Sequence, residues 1–187
     1  MVAPPELWLV RHGETEWSRS GKHTSTTDLA LTERGEEVAK SLRGRLAEVD
    51  FDLVLSSPRQ RAVRTAELAG FPDVVPDEDL VEWAYGDYEG VTTEEIRTTV
   101  PGWTVWSHPS PGGETPEQVT ERLDRVLERV QDHERVLAFG HGHALRALVA
   151  RWIGRPVTEG KLFVLDTATV SVLGHERESP VVVRWNG

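Results

Sequence analysis

Two histidines of this 187-residue chain stand at the ends of short apolar runs. His12 follows Leu7-Trp8-Leu9-Val10-Arg11, and His141 follows Val136-Leu137-Ala138-Phe139-Gly140. An apolar run that stops abruptly at Arg-His-Gly or Gly-His-Gly reads as a buried parallel strand opening into a loop. The carboxyl edge of such strands is where open α/β sheets bind ligands. Arg11 adjoins His12, and Arg59, Arg61 and Arg64 open a predicted helix just after Ser57-Pro58 at the same sheet edge. Guanidinium groups beside the free N–H groups of a helix N-terminus suit a small anion. Imidazoles beside them supply acid–base or nucleophilic chemistry near neutral pH. Arg59 and Arg64 read as a solvated helix face. No His-x-x-x-His motif or paired-carboxylate cluster has metal-ligand spacing; Gly140-His141-Gly142-His143 comes nearest, and no metal or other cofactor is expected.

The elements that position these groups follow from periodicity. Leu7 to Val10 reads as the first strand. A helix begins at Thr32 and places Val38, Leu42, Leu46 and Val49 on one face. Phe51 to Leu55 reads as a strand closed by Ser56-Ser57-Pro58, and a helix follows from Arg59 through Ala69. Residues 70–114 carry little clean periodicity beyond a short helix around Thr93 to Thr98, and read as an excursion beside the site. Thr115 as N-cap and Pro116 at the first helical position start a helix with Val119, Leu123, Val126, Leu127 and Val130 in a stripe. Val136 to Phe139 is a strand, followed by a helix to about Gly154. Thr169 to Leu173 and Val181 to Trp185 suggest an antiparallel pair around a polar link at 174–180.

Composition bounds the partners. With 38% hydrophobic and 28% charged residues, the chain suits a single domain, 1–187, able to bury about 70% of its unfolded surface. The formal charge of −10 argues against nonspecific binding to nucleic acid or an anionic membrane, although a few converging arginines can still hold a small anion. No cysteine is present, which excludes disulfides, thiol nucleophiles, zinc–thiolate sites and iron–sulfur clusters. Met1-Val2-Ala3-Pro4-Pro5-Glu6 lacks a basic leader, and no run approaches 18 apolar residues. A cytoplasmic protein, monomer or homodimer, is expected.

Five blocks carry a resemblance. They are Leu9-Val10-Arg11-His12-Gly13-Glu14-Thr15, Leu31-Thr32-Glu33-Arg34-Gly35, Ser57-Pro58-Arg59-Gln60-Arg61-Ala62, Glu82-Trp83-Ala84-Tyr85-Gly86 with Glu89-Gly90, and Gly140-His141-Gly142. Their types and order resemble the histidine phosphatase superfamily, also called phosphoglycerate mutase-like. The resemblance implies an α/β fold, a three-layer α/β/α sandwich around a mostly parallel sheet, and a phosphomonoesterase working without a metal. It implies that His12 attacks phosphorus, that Arg11, Arg61 and a protonated His141 surround the phosphoryl group, and that Glu82 protonates the leaving oxygen and then activates water. Glu14, Asp87 and Glu89 compete with Glu82 for that role. An acidic to neutral pH optimum follows.

Within the family, the short interval between Glu82 and His141 and the absence of a long tail after Trp185 favour a phosphatase over a phosphoglycerate mutase, whose phosphohistidine must be kept from water. Mutases also carry Asn where Ser18 stands. Thr15-Glu16-Trp17-Ser18 with Gly21 and Thr24, Trp103-Thr104-Val105-Trp106, and His141-Gly142-His143-Ala144-Leu145-Arg146 are most similar to the acid phosphatase and sedoheptulose bisphosphatase branch. That branch has Thr-Gly where this chain has Thr24-Ser25. Ser18, Lys22, Tyr85, Gly142 and Arg146 are the candidate substrate-binding residues, with His143 beside them. Trp103 and Trp106 read as core or lid-packing residues. A non-catalytic phospho-ligand-binding module is the alternative of another class. Its sign would be loss of Arg11, His12, Arg61 or His141, and all four are present.

Overall fold

The computed structural model describes residues 4–187, so the reading of Met1 to Ala3 lies outside the described residues. A six-stranded sheet organises the chain in the order β3-β2-β4-β1-β5-β6. Its strands are β1 (Glu6–Arg11), β2 (Leu53–Ser56), β3 (Val75–Pro76), β4 (Arg135–Gly140), β5 (Val170–Glu176) and β6 (Ser179–Arg184). The first four are mutually parallel, and β5 and β6 add an antiparallel edge. The helices are α1 (Glu16–Ser20), α2 (Glu33–Ser41), α3 (Arg43–Leu46), α4 (Gln60–Leu68), α5 (Thr93–Arg97), α6 (Pro116–Val130) and α7 (Gly142–Trp152).

Strand alternation divides the core into two. Leu7 and Leu9 of β1 and Val136 and Ala138 of β4 pack with Val119, Leu123 and Val126 of α6 and Leu145 and Leu148 of α7. The intervening Val10, Leu137 and Phe139 pack on the opposite sheet face with Leu42, Leu46, Ala62 and Ala66. Because both faces of the central strands are covered, their sequences are continuous apolar runs rather than alternating ones. Helices thus lie on both sides of a mostly parallel sheet, the layering expected. No helix among the described residues is long and apolar enough to cross a membrane.

Three boundaries differ from the periodicity reading. The helix begun by Thr32 breaks at Leu42, and its buried side runs through Gly35, Ala39, Leu42 and Leu46, leaving Val38 39% exposed. The cause is Gly35, where a Cβ would lie 2.3 Å from the Glu14 carbonyl oxygen. That approach rotates α2 so that Val38 turns outward. The link between β5 and β6 is only Arg177-Glu178, because both strands extend into the polar segment. Two elements had no periodic signature: β3 has two residues and α1 only five.

Candidate active site

Strands β2, β4 and β1 are neighbours, so the loops at their carboxyl ends meet. His12 N–H donates to the Gly140 carbonyl (3.0 Å) and Ser57 N–H to that of Phe139 (2.9 Å), extending the ladder by a residue on each side of β4. This brings the His12 and His141 rings to 5.2 Å between centroids. Nδ1 of His12 donates to the Gly13 carbonyl at 2.7 Å. Gly13 is itself held by its N–H on Thr65 Oγ1 (2.9 Å), from α4. Burial, reinforced by the charges of Arg61 and Arg11, pushes the His12 pKa well below its ordinary value. The ring is therefore neutral with its proton on Nδ1, and the Nε2 lone pair has no hydrogen-bond partner among the described residues.

Arg11 lies against the start of α7. Its Nη1 donates to the Leu165 carbonyl (2.5 Å), while its buried Nε has no partner. A Cβ on Gly142 would stand 3.3 Å from both Cζ and Nε of Arg11, so glycine here lets the guanidinium lie close to the helix end. His141 occupies the N-cap position without capping. The carboxylate of Glu82 does so instead, accepting from His143 N–H (3.0 Å), Ala144 N–H (2.7 Å) and Trp83 N–H (2.9 Å). The N-terminus of α7 thus already holds a carboxylate, and Arg11 lies against the same helix end.

His141 differs from expectation. Nε of Arg61 donates to its Nδ1 (3.2 Å), so that nitrogen carries no proton, and Nε2–H donates to Ser57 Oγ (2.7 Å). Burial and then the charge of Arg61 push its pKa well below the ordinary value. His141 is neutral, not protonated, and the positive charge of the site resides in the arginines. Arg61 is fully buried; its terminal nitrogens donate to the carbonyls of Thr27 (3.0 Å), Ser25 (3.2 Å) and Thr24 (3.4 Å). Arg61 therefore orients His141 from behind, and in this structure neither side chain lines the cavity.

That cavity, 260 Å3, is lined by Arg11, His12, Glu82 and all five expected substrate-binding residues, Ser18, Lys22, Tyr85, Gly142 and Arg146. Two of these are less free than expected. The Ser18 hydroxyl accepts from Thr15 N–H (2.9 Å) in the capping box of α1, and the Tyr85 hydroxyl is hydrogen-bonded to Nδ1 of His143 (2.5 Å). Burial also keeps the Tyr85 hydroxyl protonated by raising its pKa. Arg146 donates to the Gly160 carbonyl (3.2 Å) and lies over the Trp106 ring, 4.8 Å from its centroid.

His23 lines the same cavity and was missed in the sequence, although it sits inside the Gly21–Thr24 block. It is bonded to Thr93 Oγ1 (3.1 Å), its ring is 4.6 Å from Tyr85, and burial lowers its pKa to about 4. Of the competitors for the role of Glu82, Glu14 accepts from Thr32 Oγ1 (2.8 Å) and none lines the cavity. Glu89 clamps the loop that feeds Arg61, accepting from Ser25 N–H, Ser25 Oγ and Thr27 N–H. Burial works to raise its pKa, but these hydrogen bonds prevail and hold it below the usual carboxylate range. Arg64 is exposed and paired with Glu36 and Glu67, as a solvated face requires. Arg59 is not on that face: it is half-buried, with Nε buried and unpartnered. Trp103 is core, 1% exposed. Among the described residues no group of three or more His, Cys, Asp or Glu side chains could hold a metal ion.

Comparison with known proteins decides the family: residues 7–187 match the histidine phosphatase superfamily (branch 1). The chain belongs to the histidine phosphatase superfamily. The superfamily relatives include an acid phosphatase of Mycobacterium tuberculosis, 43% identical over 91% of this chain and 86% of the relative. Sedoheptulose 1,7-bisphosphatase of Saccharomyces cerevisiae is 36% identical over 80% of this chain and 68% of its own length. A solved structure of a Mycobacterium tuberculosis open reading frame superposes with a TM-score of 0.91 at 39% identity, covering 97% of both chains. The family and its α/β architecture are therefore as the five motif blocks imply.

Proposed function

We propose that this protein is a phosphoric monoester hydrolase acting on small phosphate monoesters, sugar phosphates or bisphosphates among them, through a phosphohistidine on His12. The observation that carries the reading is the orientation of His12. A neutral ring tied by Nδ1–H to Gly13 offers an unprotonated Nε2 in a cavity that Arg11 also lines. The named activities of the relatives, acid phosphatase and sedoheptulose 1,7-bisphosphatase, support it.

In the first step Nε2 forms a bond to phosphorus as the P–O bond to the leaving group breaks, and Glu82 passes to the departing oxygen the proton that a monoanionic phosphate ester brings into the site. Arg11 stabilises the charge on the equatorial oxygens, and the Nε2–H of His141, held by Ser57 in the free protein, is a further donor. In the second step Glu82, now a carboxylate, takes a proton from water. The water oxygen bonds to phosphorus, the P–N bond breaks, and phosphate leaves with His12 restored. Lys22, Tyr85 and Arg146 line the same cavity and would meet the leaving group. The depressed pKa of His12 keeps the nucleophile unprotonated at mildly acidic pH, which suits an acidic to neutral optimum. A rate still rising above about pH 9 would remove Glu82 as the acid.

The same reading takes the chemistry to be metal-independent and the protein to be a single cytoplasmic domain. Its test is phosphate release from a panel of sugar mono- and bisphosphates, phosphoglycerates, nucleotides and an aryl phosphate, run in EDTA beside His12→Ala. Release that survives EDTA and is lost in the variant is expected. Interconversion of phosphoglycerates without release would instead identify a mutase.

A further inference from the structure

The two chemical steps give the ring of His143 no task, although it lines the cavity and its backbone N–H donates to Glu82 (3.0 Å). The ring is half-buried and closely held, with Trp106 and Tyr85 meeting it edge to face at 5.1 and 5.7 Å between centroids. Its Nδ1 is hydrogen-bonded to the Tyr85 hydroxyl (2.5 Å). The direction of that bond decides what the ring offers a ligand. Tyr85 is 2% exposed, and burial, with the charge of Glu82, raises its pKa well above the ordinary value, so the hydroxyl keeps its proton. Burial, then the charge of Arg146, pushes the His143 pKa well below the ordinary value, so only one of the ring nitrogens carries a proton. The Glu82 carboxylate, held by three backbone N–H groups, makes no hydrogen bond with the phenol. The phenol proton therefore goes to Nδ1 of His143, and the ring's own proton sits on Nε2. That nitrogen has no partner among the described residues and, unlike Nε of Arg11, is not sealed from solvent.

His143 thus presents a neutral N–H donor to the cavity. Arg11, Lys22 and Arg146 line the same cavity and meet the anionic parts of a ligand, so a neutral donor is suited to an uncharged oxygen. Its backbone tie to Glu82, the group that serves the departing oxygen, sets that acceptor close to the scissile bond. We propose that Nε2–H of His143, fixed by the Tyr85 hydroxyl on its Nδ1, determines specificity by donating to a hydroxyl on the carbon next to the one that bears the phosphate. The favoured substrates are then monophosphates of 1,2-diols, sugars and polyols among them, over plain alkyl phosphates. Tyr85 is a positioning residue that acts through His143. The specificity claim rests on the phosphatase reading; the place of the proton on His143 does not.

Two measurements test the proposal. Long-range 1H–15N correlation spectra of the resting protein at pH 7, with His143 assigned by its loss in His143→Gln, should show a neutral ring protonated on Nε2. A ring protonated on Nδ1, its phenol turned to Glu82, or an imidazolium would overturn the proposal. The second measurement compares kcat/KM for 1,2-propanediol 1-phosphate and n-propyl phosphate, which differ by one hydroxyl; taking the ratio in each protein cancels the difference in leaving-group acidity. His143→Leu should lower that ratio about fivefold, the worth of one neutral hydrogen bond, whereas His143→Gln, whose amide N–H can stand in for Nε2–H, should lower it less than about twofold. An unchanged ratio in His143→Leu, or an equal fall in both variants, would overturn the claim. Tyr85→Phe should admit the second tautomer and lower the ratio at least about twofold; an unchanged spectrum and ratio would remove its positioning role. Release of phosphate from neither ester would fail the phosphatase reading and the specificity claim with it, while the spectra still located the proton on His143.

Discussion

Lowering the pH from 6 to 5 should remove more than about 1.2 kcal/mol of folding stability, about 1.2 kcal/mol of it through His23 and the rest through His12, His141 and His143. His12, His23 and His141 are buried, at 5%, 8% and 0% exposure, His143 is half-buried, and all four have pKa values below the ordinary 6.5, about 4 for His23. Because the unfolded chain binds these protons and the native state does not, stability is complete above the unfolded value and is lost as pH falls through the window beneath it. For His23 that window runs from 6.5 to about 4. His23 alone costs about 1.2 kcal/mol between pH 6 and 5, a sizeable part of a total that is about 5–15 kcal/mol for most domains. Carboxylates titrate mainly below about pH 4.5, so the interval isolates the histidines. Urea denaturation at the two pH values measures the loss, in phosphate-free buffer because a bound anion would stabilise the native state. His23→Gln should reduce the loss by about 1.2 kcal/mol whatever its own effect on stability. A loss below about 1 kcal/mol in the parent, or the same loss in both proteins, would refute the neutral assignment of these rings.

Glu82→Gln should lower kcat by about 10²–10⁴ while keeping a burst of p-nitrophenol from p-nitrophenyl phosphate, since that leaving group needs no proton; stopped-flow absorbance reads the burst. Glu89→Gln removes a charge that three donors share, and should cost about 2 kcal/mol in urea denaturation and lower kcat/KM by loosening the carbonyls that hold Arg61. Gly142→Ala puts a Cβ 3.3 Å from Cζ and Nε of Arg11 and should raise KM about fivefold, equivalent to about 1 kcal/mol, in steady-state assays.

The sequence made the framework legible because each central strand is buried on both faces, so its run ends sharply at the functional loop. That is why His12, His141 and the Arg11 neighbour could be placed at one edge. Glu82 had no such marker and was found only through the resemblance of its Glu-x-x-x-Gly block. Its actual hold on the site, as cap of α7 from another segment, depends on a contact between residues 61 and 62 positions apart. The charge of His141 was illegible for a similar reason: it is set by burial and by Arg61 Nε, delivered from α4. Ser18 carried a local signal, the Thr15-x-x-Ser18 capping box, which predicts its hydroxyl's use better than substrate recognition does. Val38 was misplaced because periodicity fixes spacing but not rotation, and the close approach of Gly35 to Glu14 decides the latter.

The covalent intermediate on His12 is tested most directly by rapid acid-free quench during turnover of a 32P-labelled phosphate monoester, followed by denaturation and measurement of label on the protein. Up to one equivalent of label, stable to alkali, labile to acid and absent from His12→Ala, is the predicted result. Turnover with no label at any quench time in Glu82→Gln, or a label that is stable to acid as a phosphoserine on Ser57 would be, contradicts the account.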